Sequence, residues 1–204
     1  MKKRLNILWF SLLLVSLSAC SSVLTTADSA LGDTRFYSLV ALAPSSTSSN
    51  SALRIGVGPI EIPRLLNRPQ IISRKDNTEI LMAEKHQWGG SYKEELVQAL
   101  TDNLSNLLNT ENIEQYPWKF SFKPDYNIRI NIERFDGQLG KAVTLRARWR
   151  LYKNNKEITV KRSVITVEVQ GKGYAAYVKA QSQALAQLSK NIASRIITKR
   201  NQNN

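Results

Sequence analysis

Few residues in this chain can carry covalent or metal chemistry. Its 204 residues include one His and one Cys. A single Cys cannot close an intramolecular disulfide, and one of each cannot build a Cys/His zinc site. Neither a metal nor a cofactor is expected. A His-dependent base would have to be His86, with Glu79 and Glu84 as nearby carboxylates. No G-x-S-x-G accompanies it, so a hydrolase triad lacks its nucleophile. Asp125, Glu133 and Asp136 are the acidic residues among which a glycosidase pair would be sought. Gly56-x-Gly58 runs on through Pro59 as extended chain and not into the helix start that a phosphate cradle needs. No catalytic residue is assigned, and the chain is read as a non-enzyme.

Charge is more informative. Lys and Arg number 29 against 16 Asp and Glu, a net charge of +13. Such a surface invites anionic partners or simply keeps the protein soluble. The most distinct charge feature is Arg146-x-Arg148-x-Arg150. On a strand it sets three guanidinium groups on one face, about 6.5–7 Å apart. Arginine forks fit phosphates and carboxylates. The same row also fits a wet sheet face with cross-strand partners, Glu133 and Glu168 being the candidates.

The sole Cys stands in an informative place. Lys2, Lys3 and Arg4 precede an apolar stretch, Leu5 to Leu17. That stretch falls short of the roughly 20 apolar residues a spanning helix needs, and it ends in small residues, as an export signal does. Leu17-Ser18-Ala19-Cys20 resembles the bacterial lipobox. The resemblance implies cleavage between Ala19 and Cys20, a diacylglycerol on the Cys20 sulfur and a fatty acid on the new amine. Several acyl chains hold a protein at a membrane far more firmly than one. Ser21 and Ser22 follow, where lipoproteins retained at the inner membrane often carry Asp. The implied location is the periplasmic face of the outer membrane. Cleavage removes three basic residues and leaves +10. Export also argues against nucleic acid as the partner.

The elements that must position these residues follow from hydrophobic periodicity. Residues 1–19 are the signal and 20–34 the lipidated Cys with a small, polar tether. Residues 35–198 form one domain, and 199–204 a polar tail expected to fray. Arg35 to Val40 and Leu53 to Pro59 read as strands, separated by a Ser-rich loop from Pro44 to Ser51. Pro69 to Ser73 and Glu79 to Ala83 flank the turn Lys75-Asp76-Asn77-Thr78 as a hairpin. Ser91 with Glu94 makes a capping box for a helix to Asn109. Its stripe is Leu96, Val97, Leu100, Leu104, Leu107 and Leu108, with Glu95 on the surface. Tyr126 to Glu133, Val143 to Leu151 and Ile158 to Val169 alternate cleanly, the antiparallel signature. Gly137 and Gly140 mark the first connecting turn. A last helix runs from Gly173 to Ile197. Trp88 and Trp149 belong to the core, and Trp118 is undecided. The order of elements argues for α+β: a single domain with an antiparallel or mixed sheet and two helices on one face.

One stretch carries a closer resemblance. Ile62-Pro63-Arg64-Leu65-Leu66-Asn67-Arg68-Pro69-Gln70-Ile71-Ile72-Ser73-Arg74 resembles the P-x-x-L-D/N-R-P-Q-I-V-x-R segment of the PqiC-type lipoproteins, also called ABC-type transport auxiliary lipoproteins. Trp88, Asn103-Leu104 and the opening Phe36-Tyr37-Ser38-Leu39 match further family features. Gly89-Gly90-Ser91-Tyr92 departs from the family's usual Ala-Glu-Pro-Leu. The resemblance implies a non-enzymatic outer-membrane subunit of an intermembrane lipid transport system. It would dock a periplasm-spanning MCE-domain protein and support envelope integrity. Arg68, Pro69 and Gln70, with Arg146, Arg148 and Arg150, are the candidate partner-binding residues. Arg68-Pro69-Gln70 serves equally well as a clamp on the hairpin that follows. A homo-oligomer is compatible with all of this. The alternative is an outer-membrane lipoprotein that activates a peptidoglycan synthase, and a third reading is an envelope hydrolase.

Overall fold

The computed structural model describes residues 33–44 and 52–202. Cys20, the signal, the tether to Gly32 and most of the Ser-rich loop lie outside these residues. Arg35–Asn204 is a compact unit separate from Met1–Thr34. In chain order its elements are β1 (Arg35–Tyr37), β2 (Ile55–Glu61), β3 (Gln70–Arg74), β4 (Ile80–Trp88), α1 (Tyr92–Leu108), β5 (Ile113–Gln115), β6 (Tyr126–Gln138), β7 (Ala142–Lys153), β8 (Lys156–Glu168) and α2 (Gly173–Asn201). The fold is α+β: a mixed eight-stranded sheet curled as a half-barrel, with two helices.

The long strands β6, β7 and β8 form the antiparallel spine, paired along nearly their whole lengths. Period-two alternation fixes their faces. Ile128, Ile130 and Ile132 point inward with Val143, Leu145, Ala147, Trp149, Leu151 and Ile165, all buried. Both helices cover that inner face. α2 packs on β6, β7 and β8, and α1 on β2, β5 and α2. Small residues on α2, among them Ala180, Ala184 and Ala193, are buried and let it approach closely. The leucine stripe of α1 is the expected one, with Tyr92 added to its buried set.

β6 branches the sheet. Along its free edge β2 runs parallel to the first half, from Tyr126 to Asn131, and carries β5 beyond it. β3 meets only the end of β6, through the register pair Arg74 and Gln138, and carries β4 and β1. The hairpin arm is therefore attached to the spine by little backbone. Side chains complete the joint. The Tyr177 hydroxyl on α2 donates to the Ile72 carbonyl at 2.9 Å and accepts from the Gly137 N–H at 2.8 Å. Arg74 reaches Asp136 at 2.7 Å, and the Gln138 amide donates to the Lys75 carbonyl at 2.9 Å.

Several expectations need correction. β1 ends at Tyr37, not Val40. The chain then straps across both helices: Leu39 N–H donates to Glu95, Val40 N–H to Ser182 and Leu42 N–H to Asn103. Glu95 is thus half-buried and engaged; it also accepts from Gly90 N–H at 3.1 Å. The Ser91 hydroxyl does accept from Glu94 N–H, at 3.5 Å, but the carboxylate that reaches back past the cap belongs to Glu95. Pro59 does not end β2; it sits where the register to β6 shifts, between Val57 and Ile60, as strand prolines do. Gly137 is not in a turn either. It lies within β6, where a Cβ would overlap the Ala142 carbonyl oxygen and come within 2.6 Å of Val143 Cα. α2 continues through Lys199 and Arg200 to Asn201, so the first half of the expected frayed tail is helix; cations in its last turn suit the helix dipole.

Candidate functional site

Residues named for catalysis are not assembled. His86 Nδ1 lies 2.7 Å from the Tyr37 hydroxyl, and its ring stacks on Tyr174 at 4.1 Å between centroids. Burial, then the charge of Arg35, lowers its pKa below the usual histidine value. Glu79 is turned to Lys75 at 2.8 Å instead. Asp125 pairs with Arg54 at 2.9 Å, Glu133 with Arg162 at 2.7 Å, and Asp136 with both Arg74 and Arg134. Asp125, Glu133 and Asp136 are each committed to a guanidinium group. Among the described residues, no three of His, Cys, Asp and Glu converge to hold a metal.

What the fold assembles is a surface. The outer face of the spine, away from the helices, carries Arg146, Arg148 and Arg150 on β7, as the alternation requires. Pairing adds to them. Arg150 stands in register with Arg129 on β6 and Val160 on β8; Arg148 with Asn131 and Arg162; Arg146 with Arg134 and Val164. Six arginines therefore share one face. Of the expected carboxylate partners, Glu133 takes part, accepting Arg162 at 2.7 and 2.9 Å with Arg148 at 3.8 Å. Glu168 does not: its register partner is Ala142, at the far end of the strand. Glu157 pairs with Arg150 instead, at 3.2 Å. Arg146 has no ion pair among the described residues.

A groove of about 200 Å³ opens on this face, lined by Arg129, Arg148, Arg150, Asn131 and Tyr152, with Pro59 and Glu61 at its β2 side. The Arg129 guanidinium lies over the Tyr152 ring, 4.6 Å from its centroid. That contact orients the fork without neutralising it. The groove is open and polar, suited to a charged group held at a surface.

The same face carries a feature that sequence reasoning left undecided. After β5 the chain runs through Tyr116, Trp118, Lys119, Phe120, Phe122 and Lys123 back to β6. Trp118 lies close enough to β2 that a Cβ on Gly56 would meet its ring at 2.9 Å. It contacts Tyr116 edge-on at 5.5 Å and Phe122 at 6.5 Å. Phe120 is fully exposed, at 101%. The cluster has no strand or helix period, so nothing in the pattern marked it.

Arg68, Pro69 and Gln70 sit elsewhere, at the entry to β3. The Pro69 carbonyl accepts from Trp88 N–H at 2.8 Å and closes the end of the hairpin. Arg68 Nη1 approaches the Met82 sulfur at 2.8 Å, and Gln70 is in register with Gln87. These are the contacts that the clamp reading calls for, and they do not bear on whether the segment also meets a partner. Among the described residues, no hydrogen bond or ion pair connects it to the arginines of the outer face.

Residues 37–193 match the family described as ABC-type transport auxiliary lipoprotein component, and the chain belongs to that family. It is not an enzyme family. No curated relative matches the chain by sequence. The fold is similar to those of solved structures, two of which cover most of this chain. One is an uncharacterized protein with 20% identity and a TM-score of 0.66, covering 80% of this chain and 99% of its own. The other is protein XCC0632 from Xanthomonas campestris, of the DUF330 family, with 17% identity and a TM-score of 0.66, covering 82% of this chain and 97% of its own.

Proposed function

We propose that this chain is an outer-membrane lipoprotein, anchored through acylated Cys20, that serves an MCE-type intermembrane lipid transporter as a non-enzymatic subunit. The observation that carries the reading is the family match over residues 37–193 in a chain whose only Cys ends a lipobox. Transport-associated lipoproteins of this family supply a fixed, membrane-held surface. The chemistry of moving lipid belongs to their partners. In this reading the compact unit docks the periplasm-spanning component, and the acyl chains hold it at the outer membrane. Arg68, Pro69 and Gln70, at the entry to β3 on the hairpin arm, are proposed to meet the docked partner. Their internal contacts make them a rigid edge.

Crosslinking in intact envelopes, followed by solubilisation and purification of the chain, should recover an MCE-domain protein. Repeated recovery of a peptidoglycan synthase in its place would move the assignment to the alternative named above. Replacing Cys20 with Ser should abolish fatty-acid labelling and release a folded domain. Continued labelling of that variant would remove the anchor from the account.

A further inference from the structure

We infer that the outer face of the spine, led by the Phe120 loop, is a second membrane contact that seats on an anionic phospholipid bilayer. Folding gives no reason for the loop's design. Lys119 to Phe122 form a tight turn, closed by Phe122 N–H to the Lys119 carbonyl at 2.9 Å. Tyr116, Trp118 and Phe122 brace it from below, and the Lys119 N–H donates to Glu114 at 3.3 Å. This scaffolding presents the Phe120 ring at 101% exposure, and Tyr116 of the same segment is 57% exposed. A rigid apolar tip flanked by Lys119 and Lys123 has the composition of an interfacial anchor. Aromatic rings sit at headgroup depth while cationic side chains remain among the phosphates.

The loop is continuous with the arginine face. Trp118 covers Gly56, whose register partner is Asn127, and Arg129 is the next residue of β6 on that same side. From there the groove follows, where Arg129 lies over Tyr152 without an ion pair among the described residues, and Arg148 and Arg150, though paired with Glu133 and Glu157, keep 48% and 44% of their side chains exposed to phosphate oxygens. Val160 and Val164, exposed at 49% and 60%, stand beside Arg150 and Arg146. Alternating valine and arginine makes a shallow amphipathic carpet behind the aromatic tip. Arginine and aromatic residues are enriched at protein interfaces while lysine is depleted, so what favours a bilayer here is the pair Lys119 and Lys123 flanking the exposed ring. The inference rests on the proposed anchoring only in that a bilayer must lie within reach.

The test uses the chain from residue 20 onward carrying Cys20→Ser, which retains the whole compact unit and cannot be acylated. Its failure is thereby separated from failure of the lipobox reading. The chain is sedimented with vesicles of phosphatidylethanolamine and phosphatidylglycerol, and with vesicles of phosphatidylcholine alone. It should partition to the first, weakening with salt, and barely to the second. Phe120→Ser should lower partitioning about tenfold, the scale of withdrawing a large apolar side chain. Arg129→Gln with Arg150→Gln should erase most of the anionic preference, at roughly fivefold per charge. Phe120 and Arg129 are exposed and Arg150 is partly so, so unchanged circular dichroism is expected. Equal partitioning of Phe120→Ser and the parent would overturn the inference. So would no sedimentation with either vesicle, or binding of inorganic phosphate alone without vesicle binding.

Discussion

Two carboxylates three residues apart on β6 each clasp two arginines, but in different surroundings. Asp136 holds Arg74 and Arg134 at 2.7 and 2.6 Å with only 4% of its side chain exposed. Glu133 holds Arg162 at 2.7 Å and Arg148 at 3.8 Å with 23% exposed, and its arginines are about half exposed. The first cluster sits at the joint where β3 touches β6 through one register pair. The second lies on the open outer face. The same chemistry therefore holds the sheet together at one site and only steadies a surface at the other. Buried pairs are costly to break by removing one partner, because the other is left as an uncompensated charge, whereas exposed pairs contribute little.

The largest effect should come from Asp136→Asn. It leaves Arg74 and Arg134 facing each other without a counter-charge at the weakest backbone junction of the sheet. Because those arginines keep 17% and 30% exposure, the expected loss is about 2–3 kcal/mol, at or below the low end for a fully buried pair. Urea unfolding measures it, and hydrogen exchange should show β3 and β4 opening before β7. A loss under about 1 kcal/mol would mean that Tyr177 and the Gln138–Lys75 bond suffice to secure the joint. Tyr177→Phe comes next. It strips the buried Gly137 N–H and Ile72 carbonyl of their shared hydroxyl, a loss of roughly 1–3 kcal/mol.

The contrast between the clusters was only half legible in the residue pattern. Strict alternation from Tyr126 would turn Phe135 outward and Asp136 inward. A register shift between Ile132 and Arg134 gives β6 one extra residue there. It buries Phe135 and sends Asp136 to the other side, because a one-residue slip exchanges the faces of a strand. Nothing local to Glu133 announces the bulge; pairing with β7 imposes it. The arginine row on β7 was legible because its alternation is unbroken. Arg129 and Arg162 needed the pairing to be recognised as its neighbours. β5, of three residues, is too short to leave a pattern, and the aromatic loop after it has none. The lipobox lies outside the described residues and remains a reading of sequence.

Glu133→Gln sharpens the comparison from the exposed side. Stability should change by less than about 0.5 kcal/mol, since both arginines already face water. Vesicle partitioning should instead rise several-fold, because two guanidinium groups lose their internal acceptor and the face gains a positive charge. A variant that unfolds more readily and binds no better would show that Glu133, like Asp136, belongs to the framework.

The smallest effect concerns pH and a third polar cluster, at the seam between the hairpin arm and the start of α2. His86 packs on Tyr174 of the first turn of α2 and meets the Tyr37 hydroxyl, with Arg35 near by. Its pKa is lowered in the fold, by burial first and by Arg35 second. The unfolded chain takes up this proton near the ordinary value of about 6.5, and the folded chain only at lower pH. Between those values the unfolded state binds more protons, so stability falls as pH drops. The contribution is complete above about 6.5 and is lost once pH has passed below the folded value. Asp76 and Asp125 are also lowered. Asp76 is lowered by the N–H groups of Glu79 and Thr78. For Asp125, burial pushes upward but is outweighed by Arg54. Both titrate below the usual carboxylate range, beneath the histidine window. Denaturation midpoints measured from about pH 7 to about pH 5.5 should therefore decline gently in the parent chain and stay level in His86→Gln. A parent chain that gains stability over that interval would mean that His86 is charged in the fold, with its ring nitrogen donating to Tyr37 and not accepting from it.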